Sequence, residues 1–438
     1  MRAVVVALGK IGLPIAAQIA RSGHEVIGCD IDQVTVDLVN AAQPPFPGED
    51  GLAEALAEVV PSGRLKATTN TTEAVATGAD LVIAVPPLVV DDEAHPDWRI
   101  LDAVIDDIGR GLQPATTVSV ETTLPIGTTR TRVAPRLAEL SGLRAEEEFF
   151  AIHSPERVYS GRVFRDLATY PKILGGLSAT GEARGVELYR SFLTAEVWPM
   201  GSAEAAELTK LAETTYRDVN IALANEFARF ADRAGVDIDR VIAAANSQPF
   251  SHIHRPGVAV GGHCIPVYPR FYLGSDDQAQ IPATAREVNS QMPGYAVELL
   301  EQELESLEGE RILILGVAYR GNVKETAFSG AFGLRDALLD RGALPVASDP
   351  LYSDDEMRSL GFEPWDGNDV TGAILQADHA AYTGMSPAEL PGARAVVDGR
   401  GMLDPARFAP VGVAFRRIGG GYGAASAATT RSPARPSP

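Results

Sequence analysis

The chain contains only two cysteines among its 438 residues, Cys29 and Cys264. So few thiols exclude a disulfide-stapled secreted fold and suit a reducing cytoplasm. Long hydrophobic runs are missing too, since the longest one, LVIAVPPLVV at 81–90, is too short for a bilayer and contains Pro86 and Pro87. The opening MRAVVVALG lacks the basic start and long apolar stretch of a signal peptide. We therefore expect a cytoplasmic protein that makes no contact with membranes.

Basic residues are scarce relative to acidic ones. Lys and Arg total 38 against 58 Asp and Glu, which gives a net charge of −20. A field of this sign repels phosphate backbones, so no nucleic-acid partner is expected. An anionic ligand must be held by local groups such as helix N-termini and single Lys or Arg side chains. No metal site is expected.

The first two hundred residues alternate short apolar runs with amphipathic stretches. The apolar runs include RAVVVAL, HEVIGCDID, LVIAVPP, TTVSVETTLP and FFAIHSPER. Strand, glycine turn, helix and strand follow one another at the start, which is the order of a βαβ unit. The alternation predicts a parallel sheet with helices on both faces, and we assign it to a first domain at 1–198.

The pattern changes near residue 199, where some thirty positions with a helical apolar period predict one long helix. We assign 199–305 to a central helical domain, whose long helix is either a structural spacer or dimer face or carries a catalytic residue; the family resemblance described below implies that this domain serves dimerisation and the active site. A second βαβ-like block begins at RILILGVAYRG and defines a third domain at 306–416. The predicted fold class is α/β, with two Rossmann-like doubly wound domains joined by a long central helix and a small helical domain. Residues 417–438, rich in Gly, Ala, Ser and Pro, are predicted to form a disordered tail.

A glycine turn connects the first strand to the first helix. The stretch Ala7-Leu8-Gly9-Lys10-Ile11-Gly12 is a GxGxxG fingerprint whose first glycine is alanine. Asp30 ends the next strand about 20 residues later, at the spacing where a carboxylate binds a ribose hydroxyl. The alternative is an ordinary α/β turn without a ligand. An acidic residue at this position favours NAD over NADP.

Cys264 follows Gly261-Gly262-His263 in the stretch GVAVGGHCIPVYPRFYL. A thiol flanked by glycines is accessible, and glycine amides can turn toward an oxyanion beside the sulfur. The alternative is an inert, buried small residue, which is the more frequent state of a lone cysteine. From the residues alone both interpretations stay open.

Several motifs together resemble the UDP-glucose/GDP-mannose dehydrogenase family of nucleotide-sugar 6-dehydrogenases. The resemblance runs from residue 1 to about 415 and rests on ALGKIGLPIA, ETTLPIGTT, SPERVYSG, AELTKLAETTYRDVNIALANE, GGHCIP and GVAYRGNVKET. The forms SPERV and GGHCIPV are closest to the branch that acts on UDP-N-acetylhexosamines. The resemblance implies NAD-dependent oxidation of a sugar C6 alcohol to the uronic acid, with the aldehyde captured by a cysteine. It also implies at least a homodimer.

The resemblance assigns roles residue by residue. It implies Cys264 as the nucleophile, Lys210 as the cation near the sugar oxygen and Glu156 as the acid/base. Thr214 and Tyr268 fall on the remaining catalytic positions. The cofactor positions implied are Gly9, Lys10, Ile11, Gly12, Asp30, Val85, Pro86 and Thr123. The substrate positions implied are Glu156, Arg157, Val158, Lys210, Arg255, Gly257, Gly261, Tyr319 and Arg320.

The chain departs from the family pattern at the catalytic positions. Tyr268 stands where the family has Asp, Thr214 where it has Asn, and the D-x-R motif has become Glu325-Thr326-Ala327. Loss of a positioned base costs on the order of 10² to 10⁴ in rate. Two alternatives therefore stay open beside full oxidation. One is a variant redox enzyme on an unusual nucleotide sugar or nucleoside that stops at the aldehyde or acts without net oxidation. The other is a catalytically silent protein that binds NAD and a nucleotide.

Overall fold

The computed structural model of the chain describes residues 1–91 and 95–421. Within it the chain forms two compact units. The first contains Met1–Glu213 and Arg270–Asp277, and the second contains Thr214–Pro269 and Gln278–Pro438, of which residues 422–438 lie outside the described part.

The first unit is built on an eight-stranded sheet. Its strands, with the short hairpin β5–β6, are β1 Arg2–Val6, β2 Glu25–Cys29, β3 Leu65–Thr68, β4 Leu81–Ala84, β5 Val89–Val90, β6 Pro96–Asp97, β7 Thr117–Val120, β8 Phe150–His153, β9 Lys172–Gly176 and β10 Val197–Pro199. Its helices are α1 Gly12–Arg21, α2 Gln33–Asn40, α3 Leu52–Val59, α4 Thr71–Ala76, α5 Arg99–Gly111, α6 Ala134–Ser141, α7 Val163–Thr169 and α8 Ala179–Arg190. A π-helical turn, Thr129–Val133, leads into α6.

The strand order is β10-β9-β8-β7-β4-β1-β2-β3, and neighbouring strands run parallel except β8 and β9. Every residue of β4 and β7 is buried. The β4 sequence, LVIA, is accordingly a continuous apolar run, whereas β7, TVSV, also buries the polar residues Thr117 and Ser119. Strand β1 pairs with β2 on one side and β4 on the other. The strand order therefore reverses between β1 and β4. In open parallel sheets, ligands bind in the crevice that such a reversal creates at the carboxyl ends of the two strands.

One long helix, α9, runs from Ala203 to Ala234 over 32 residues, about 48 Å at 1.5 Å per residue. The boundary of the two units falls inside it, after Glu213. Five large apolar side chains lie exposed on this helix: Leu208, Tyr216, Leu223, Phe227 and Phe230. The homodimer expected from the resemblance stays a prediction.

The second unit contains a five-stranded parallel sheet of order β12-β11-β13-β14-β15. Its strands are β11 Arg311–Leu315, β12 Leu344–Ser348, β13 Gly372–Leu375, β14 Ala395–Asp398 and β15 Ala414–Arg417. The helices that follow α9 are α10 Ile238–Ala245, α11 Tyr268–Ser275, α12 Gln280–Ser290, α13 Met292–Leu304, α14 Gly330–Leu339 and α15 Asp354–Ser359. Residues 270–275 of α11 belong to the first unit. Short 3-10 turns lie at Ala380–Tyr382, Pro387–Glu389, Pro405–Arg407 and Ala409–Val411. The predicted α/β class, with two parallel-sheet halves and a long helix, is confirmed.

The structure corrects the predicted start of the disordered tail. Arg417 belongs to β15, Ile418 is only 4% exposed, and the Asp232 carboxylate accepts hydrogen bonds from Gly419 N–H and Gly421 N–H, each at 3.0 Å. Composition could not predict this, because the partner that orders these glycines lies nearly 190 residues away in the sequence. The rest of the predicted tail, 422–438, lies outside the described residues.

Candidate active site

The glycine turn follows β1 and leads into α1. Ala7 has a left-handed φ of 74°, and its N–H donates to the Cys29 carbonyl at 2.8 Å. A Cβ on Gly12 would lie 2.0 Å from the Ala7 carbonyl oxygen, whereas a Cβ on Gly9 would meet no atom within 4 Å. Gly12 is thus required by packing, while Gly9 leaves the backbone open to a pyrophosphate at the start of α1. Lys10 is exposed, and Ile11 is half-buried.

Asp30 ends β2 beside this turn. Its carboxylate accepts hydrogen bonds from Leu8 N–H at 2.8 Å and from Asp32 N–H at 3.0 Å. The next side chain, Ile31, is 94% exposed, an unusual state for a large apolar residue beside a binding crevice. Sequence reasoning missed Ile31, although an isoleucine directly after the carboxylate predicted to bind the ribose is a signal that the sequence contains.

The second predicted cofactor segment lies at the ends of β4 and β7. Val85 N–H donates to Val6 O at 3.0 Å, which extends the β1–β4 pairing by one residue. The Thr122 hydroxyl donates to Pro86 O at 2.5 Å, and Thr123 is 5% exposed. The first unit therefore brings Val85, Pro86 and Thr123 to the carboxyl edge of the sheet that also carries the glycine turn.

Glu207 of α9 fixes the continuation of this segment. Its carboxylate accepts hydrogen bonds from Gly127 N–H at 2.5 Å, Thr129 N–H at 2.8 Å and the Thr129 hydroxyl at 2.7 Å. Burial raises the pKa of Glu207 to about 6, and these donors act in the opposite direction. Sequence reasoning did not select Glu207, which lies one helical turn before Lys210 and ties that helix to the cofactor segment.

Glu156 lies after β8, at the same edge of the sheet. Its carboxylate accepts hydrogen bonds from Arg157 N–H at 2.6 Å, Val158 N–H at 3.0 Å and Lys172 Nζ at 2.8 Å. The Arg157 guanidinium pairs with Glu213 of α9 at 3.0 Å. Lys172 was missed by sequence reasoning, although it is the one charged residue in the buried strand KILGG.

Lys210 and Thr214 lie four residues apart on α9, a spacing that places them on one face of a helix. Lys210 is partly exposed, and Thr214 is 3% exposed.

Cys264 lies in the second unit on the loop before α11, and its side chain is exposed. Gly262 has φ +93°, and a Cβ there would lie 3.0 Å from the Tyr319 ring, while one on Gly261 would lie 2.7 Å from Tyr319 Cβ. Gly262 N–H donates to Ala327 O at 2.8 Å. The glycines before the thiol are therefore needed because Tyr319 and the 325–328 segment pack against the loop. This packing accounts for both glycines independently of any reaction at the thiol.

Polar side chains lie on both sides of Cys264 along its loop. The His263 ring pairs with the Glu325 carboxylate, so the glutamate of the altered D-x-R motif is engaged by the loop. Tyr268 begins α11, and its N–H donates to the Cys264 carbonyl at 2.9 Å. The Arg320 guanidinium lies 5.6 Å from the centre of the Tyr319 ring and is exposed.

The predicted substrate loop at 255–261 is held by buried polar groups. The Asn225 side chain of α9 accepts from Gly257 N–H at 2.9 Å and donates to Asn289 at 2.9 Å. Val258 N–H donates to Gly399 O at 3.0 Å. Arg255, at the start of this loop, is exposed.

Arg400 is a further cation beside this loop that sequence reasoning missed. Its guanidinium donates to Gln376 O at 2.5 Å, to Ala259 O and Tyr319 O at 3.4 Å each, and to Gln376 Oε1 at 3.3 Å. Burial lowers the pKa of Arg400 below its usual value. The hydrogen bonds of its guanidinium within the described residues go to neutral oxygens, while the nearby carboxylates of Asp378 and Asp398 oppose the fall of its pKa.

The predicted residues thus fall into two sets. The first unit holds the cofactor positions together with Glu156, Arg157, Val158 and Lys210. The second unit holds Thr214, Arg255, Gly257, Gly261, Cys264, Tyr268, Tyr319 and Arg320.

A parallel-sheet unit with a glycine turn, an acidic strand end and a reversal of strand order defines the dinucleotide-binding class of α/β folds. The chain belongs to the UDP-glucose/GDP-mannose dehydrogenase family, because residues 1–193 match the family's NAD binding domain and residues 204–291 match its central domain. The cofactor is accordingly NAD. No helix within residues 1–91 and 95–421 has the length and apolar character needed to cross a membrane.

Named relatives are similar over most of the chain. The UDP-N-acetyl-D-mannosamine dehydrogenase of Pyrococcus horikoshii is 33% identical over 431 residues, covering 96% of this chain and 100% of the relative. The NDP-N-acetyl-D-galactosaminuronic acid dehydrogenase of Ralstonia solanacearum is 32% identical over 92% of this chain and 97% of the relative. The solved structure of the Pyrococcus horikoshii UDP-D-ManNAc dehydrogenase superposes with a TM-score of 0.83, at 32% identity over 96% of this chain and 99% of that one.

Proposed function

We propose that this protein oxidises the C6 alcohol of a UDP-N-acetylhexosamine to the uronic acid. The observation that carries the proposal is the exposed thiol of Cys264 on a glycine loop, in a chain whose relatives are named for sugar nucleotides of this class. An exposed, glycine-flanked thiol is what an aldehyde intermediate requires as a nucleophile.

The proposed chemistry has two oxidations and one hydrolysis. NAD supplies the hydride acceptor for each oxidation, so two NAD are reduced per sugar. Between them, the Cys264 sulfur adds to the C6 aldehyde and its proton passes to the aldehyde oxygen, giving a thiohemiacetal. Oxidation of this adduct gives a thioester. Water then breaks the carbon–sulfur bond, releasing the carboxylic acid and restoring the thiol.

The roles proposed for the other residues follow from their chemistry. Lys210 stabilises negative charge on the sugar oxygen, and Glu156 accepts a proton from the attacking water. Thr214 and Tyr268 occupy the two positions at which the family carries an amide and a carboxylate, so hydrolysis is the step they limit.

The diphosphate needs cations, because the chain as a whole carries a charge of −20. We assign this role to Arg255, Arg320 and Arg400. The Gly257 and Gly261 backbone and the Tyr319 ring would complete the pocket for the sugar nucleotide. Support comes from the neutral partners of the Arg400 guanidinium.

The experiment that tests the function counts NADH. Purified protein is mixed with NAD and limiting UDP-N-acetylmannosamine, UDP-N-acetylglucosamine or UDP-N-acetylgalactosamine, and NADH absorbance is compared with the acid measured by mass spectrometry. We expect two NADH and one acid per sugar with one of them. One NADH per sugar, with aldehyde as product, supports the variant that stops early. Saturable NAD binding without NADH from any of the three contradicts the proposal and favours a silent binding protein.

The exposed Ile31 gives a prediction for cofactor binding. An Ile31→Ser variant should bind NAD about tenfold more weakly, since losing part of an apolar contact with the adenine costs about 1.4 kcal/mol. Val34, which is 63% exposed on the same surface, provides the matched Val34→Ser control, whose affinity should not change. Isothermal titration with NAD measures both, and equal affinities of Ile31→Ser and the unaltered protein would remove Ile31 from the site.

A further inference from the structure

Three charged side chains meet inside the first unit at the carboxyl edge of its sheet. Lys172 Nζ lies 2.6 Å from Glu121 Oε2 and 2.8 Å from Glu156 Oε2. The three side chains are 6%, 0% and 10% exposed, respectively. We call this group, Glu121, Lys172 and Glu156, the buried ion cluster. Two of its members had no predicted role.

We propose that Lys172 and Glu121 are positioning residues that fix the orientation and the charge of the Glu156 carboxylate. The inference rests on the function proposed above, in which Glu156 accepts a proton from water. Neither Lys172 nor Glu121 needs to touch the substrate for this role.

The orientation of Glu156 is fixed by donors on both of its oxygens. Oε1 accepts hydrogen bonds from Arg157 N–H and Val158 N–H, and Oε2 accepts one from Lys172. Two of these donors belong to the backbone that follows Glu156, so they hold the carboxylate in any variant that folds. Lys172 is the donor that a substitution can remove.

The charge of Glu156 depends on the balance inside the cluster. Burial opposes ionisation of Glu156, but attraction to Lys172 and the hydrogen bonds from Lys172, Glu121 and Arg157 N–H outweigh burial, so the pKa of Glu156 is lower than its usual value. Burial raises the pKa of Glu121 to about 7, against the attraction of Lys172, and repulsion from Glu156 adds to the rise. Burial also works against the charge of Lys172, yet the two carboxylates raise its pKa. Lys172 therefore keeps Glu156 ionised, whereas Glu121 is the carboxyl group that takes up a proton first.

The groups around the cluster leave this balance in place. The Tyr189 hydroxyl of α8 donates to Glu121 and also pairs with the Ser119 hydroxyl at 2.8 Å. His153 on β8 is 0% exposed, and burial, followed by repulsion from Lys172, lowers its pKa to about 3, so it is neutral at physiological pH. The Arg157 guanidinium is paired with Glu213 at 3.0 Å.

Stability alone does not account for such a cluster. Replacing a buried ion pair by apolar side chains of similar volume is often neutral or stabilising, whereas removing one partner leaves an uncompensated buried charge. Two carboxylates sharing one lysine therefore point to a requirement for a fixed negative charge at Glu156.

The test uses three variants and the pH dependence of acid release. Glu156 works as a base only when ionised, so activity falls as the pH drops through its pKa. This fall in activity at low pH is the acid limb of the pH profile. Lys172→Met leaves two buried carboxyl groups without their cation, so the acid limb should move up by at least about one pH unit. Glu121 takes up its proton before Glu156 does and is neutral where Glu156 titrates, and glutamine is a neutral side chain of the same size, so the limb of Glu121→Gln should stay in place. The double variant has neither the lysine nor the second carboxyl group, and its limb should lie between those of the two single variants.

A purely structural role for Lys172 would lower the rate of Lys172→Met without moving the limb, which would overturn the inference. Lys172→Arg keeps the charge and should keep the original limb. Should Lys172→Met fail to fold, Glu121→Gln and the double variant differ only in Lys172, and equal limbs in that pair would equally overturn the inference.

Inactivity of the unaltered protein with every sugar nucleotide would count against the proposed function and not against the cluster. Infrared spectra at neutral pH then decide the cluster separately. Lys172→Met should gain a protonated-carboxyl band relative to the double variant, and the absence of this band would overturn the inference.

Discussion

Replacing Cys264 by serine is expected to lower the rate of acid production by a factor of at least about 10³. The two side chains differ by one atom, and the loop is held by contacts that do not involve the sulfur, namely Gly262 N–H to Ala327 O and Tyr268 N–H to Cys264 O. The fold should therefore persist. A serine hydroxyl is a weaker nucleophile than a thiolate and would give an oxygen ester, which water cleaves more slowly than a thioester. Acid measured by mass spectrometry after a fixed time gives the factor.

Cys29 offers the matched control. It is 0% exposed in β2, and burial raises its pKa to about 12, so its thiol is not a nucleophile at neutral pH. Cys29→Ala should keep its acid production, and a thiol-alkylating reagent should modify Cys264 but leave Cys29 unmodified. Full acid production by Cys264→Ser would contradict the covalent mechanism, whatever the other residues do.

The fold could be predicted from the sequence because its signals are local. A parallel sheet covered on both faces needs continuous apolar strands, and runs such as LVIA and RILIL have that pattern without any long-range information. The glycine turn is equally local, since the clash that excludes a side chain at Gly12 comes from a carbonyl only five residues before it. The long helix was predictable from its period over thirty positions.

The positioning groups could not be predicted, because their partners lie far apart in the sequence. Lys172 reaches Glu121 across 51 residues, Glu207 reaches Gly127 across 80, and Asp232 reaches Gly421 across 189. Arg400 contacts Ala259 across 141 residues. The role of a charged residue in a strand or a helix cannot be predicted until its neighbours in the folded chain are known. The motif positions were found because they resemble a family, and the residues that hold them were found only from the structure.

Replacing Tyr268 by aspartate is expected to increase the rate of acid release, by on the order of 10² or more, where hydrolysis limits turnover. Tyr268 is the first residue of α11, and its backbone N–H donates to the carbonyl of Cys264. A carboxylate there would lie on the first turn of a helix, where negative charge is stabilised, and one turn after the nucleophile. It would supply a base close to the sulfur, which a phenol with an ordinary pKa of about 10 does not supply at neutral pH.

The control for charge is Tyr268→Asn, which has the size of aspartate and no base, and it should not accelerate hydrolysis. Rapid quenching measures acid release separately from NADH formation, so a faster second step is distinguished from a faster first one. If Tyr268→Asp and Tyr268→Asn release acid equally, the gain comes from removing the ring and not from a base. If neither exceeds the unaltered protein while that protein already forms two NADH per sugar, the tyrosine is compatible with full oxidation. Glu156 must then be the base. In that case Lys172→Met, introduced into the Tyr268→Asp variant, should still move the acid limb of the pH profile to higher pH.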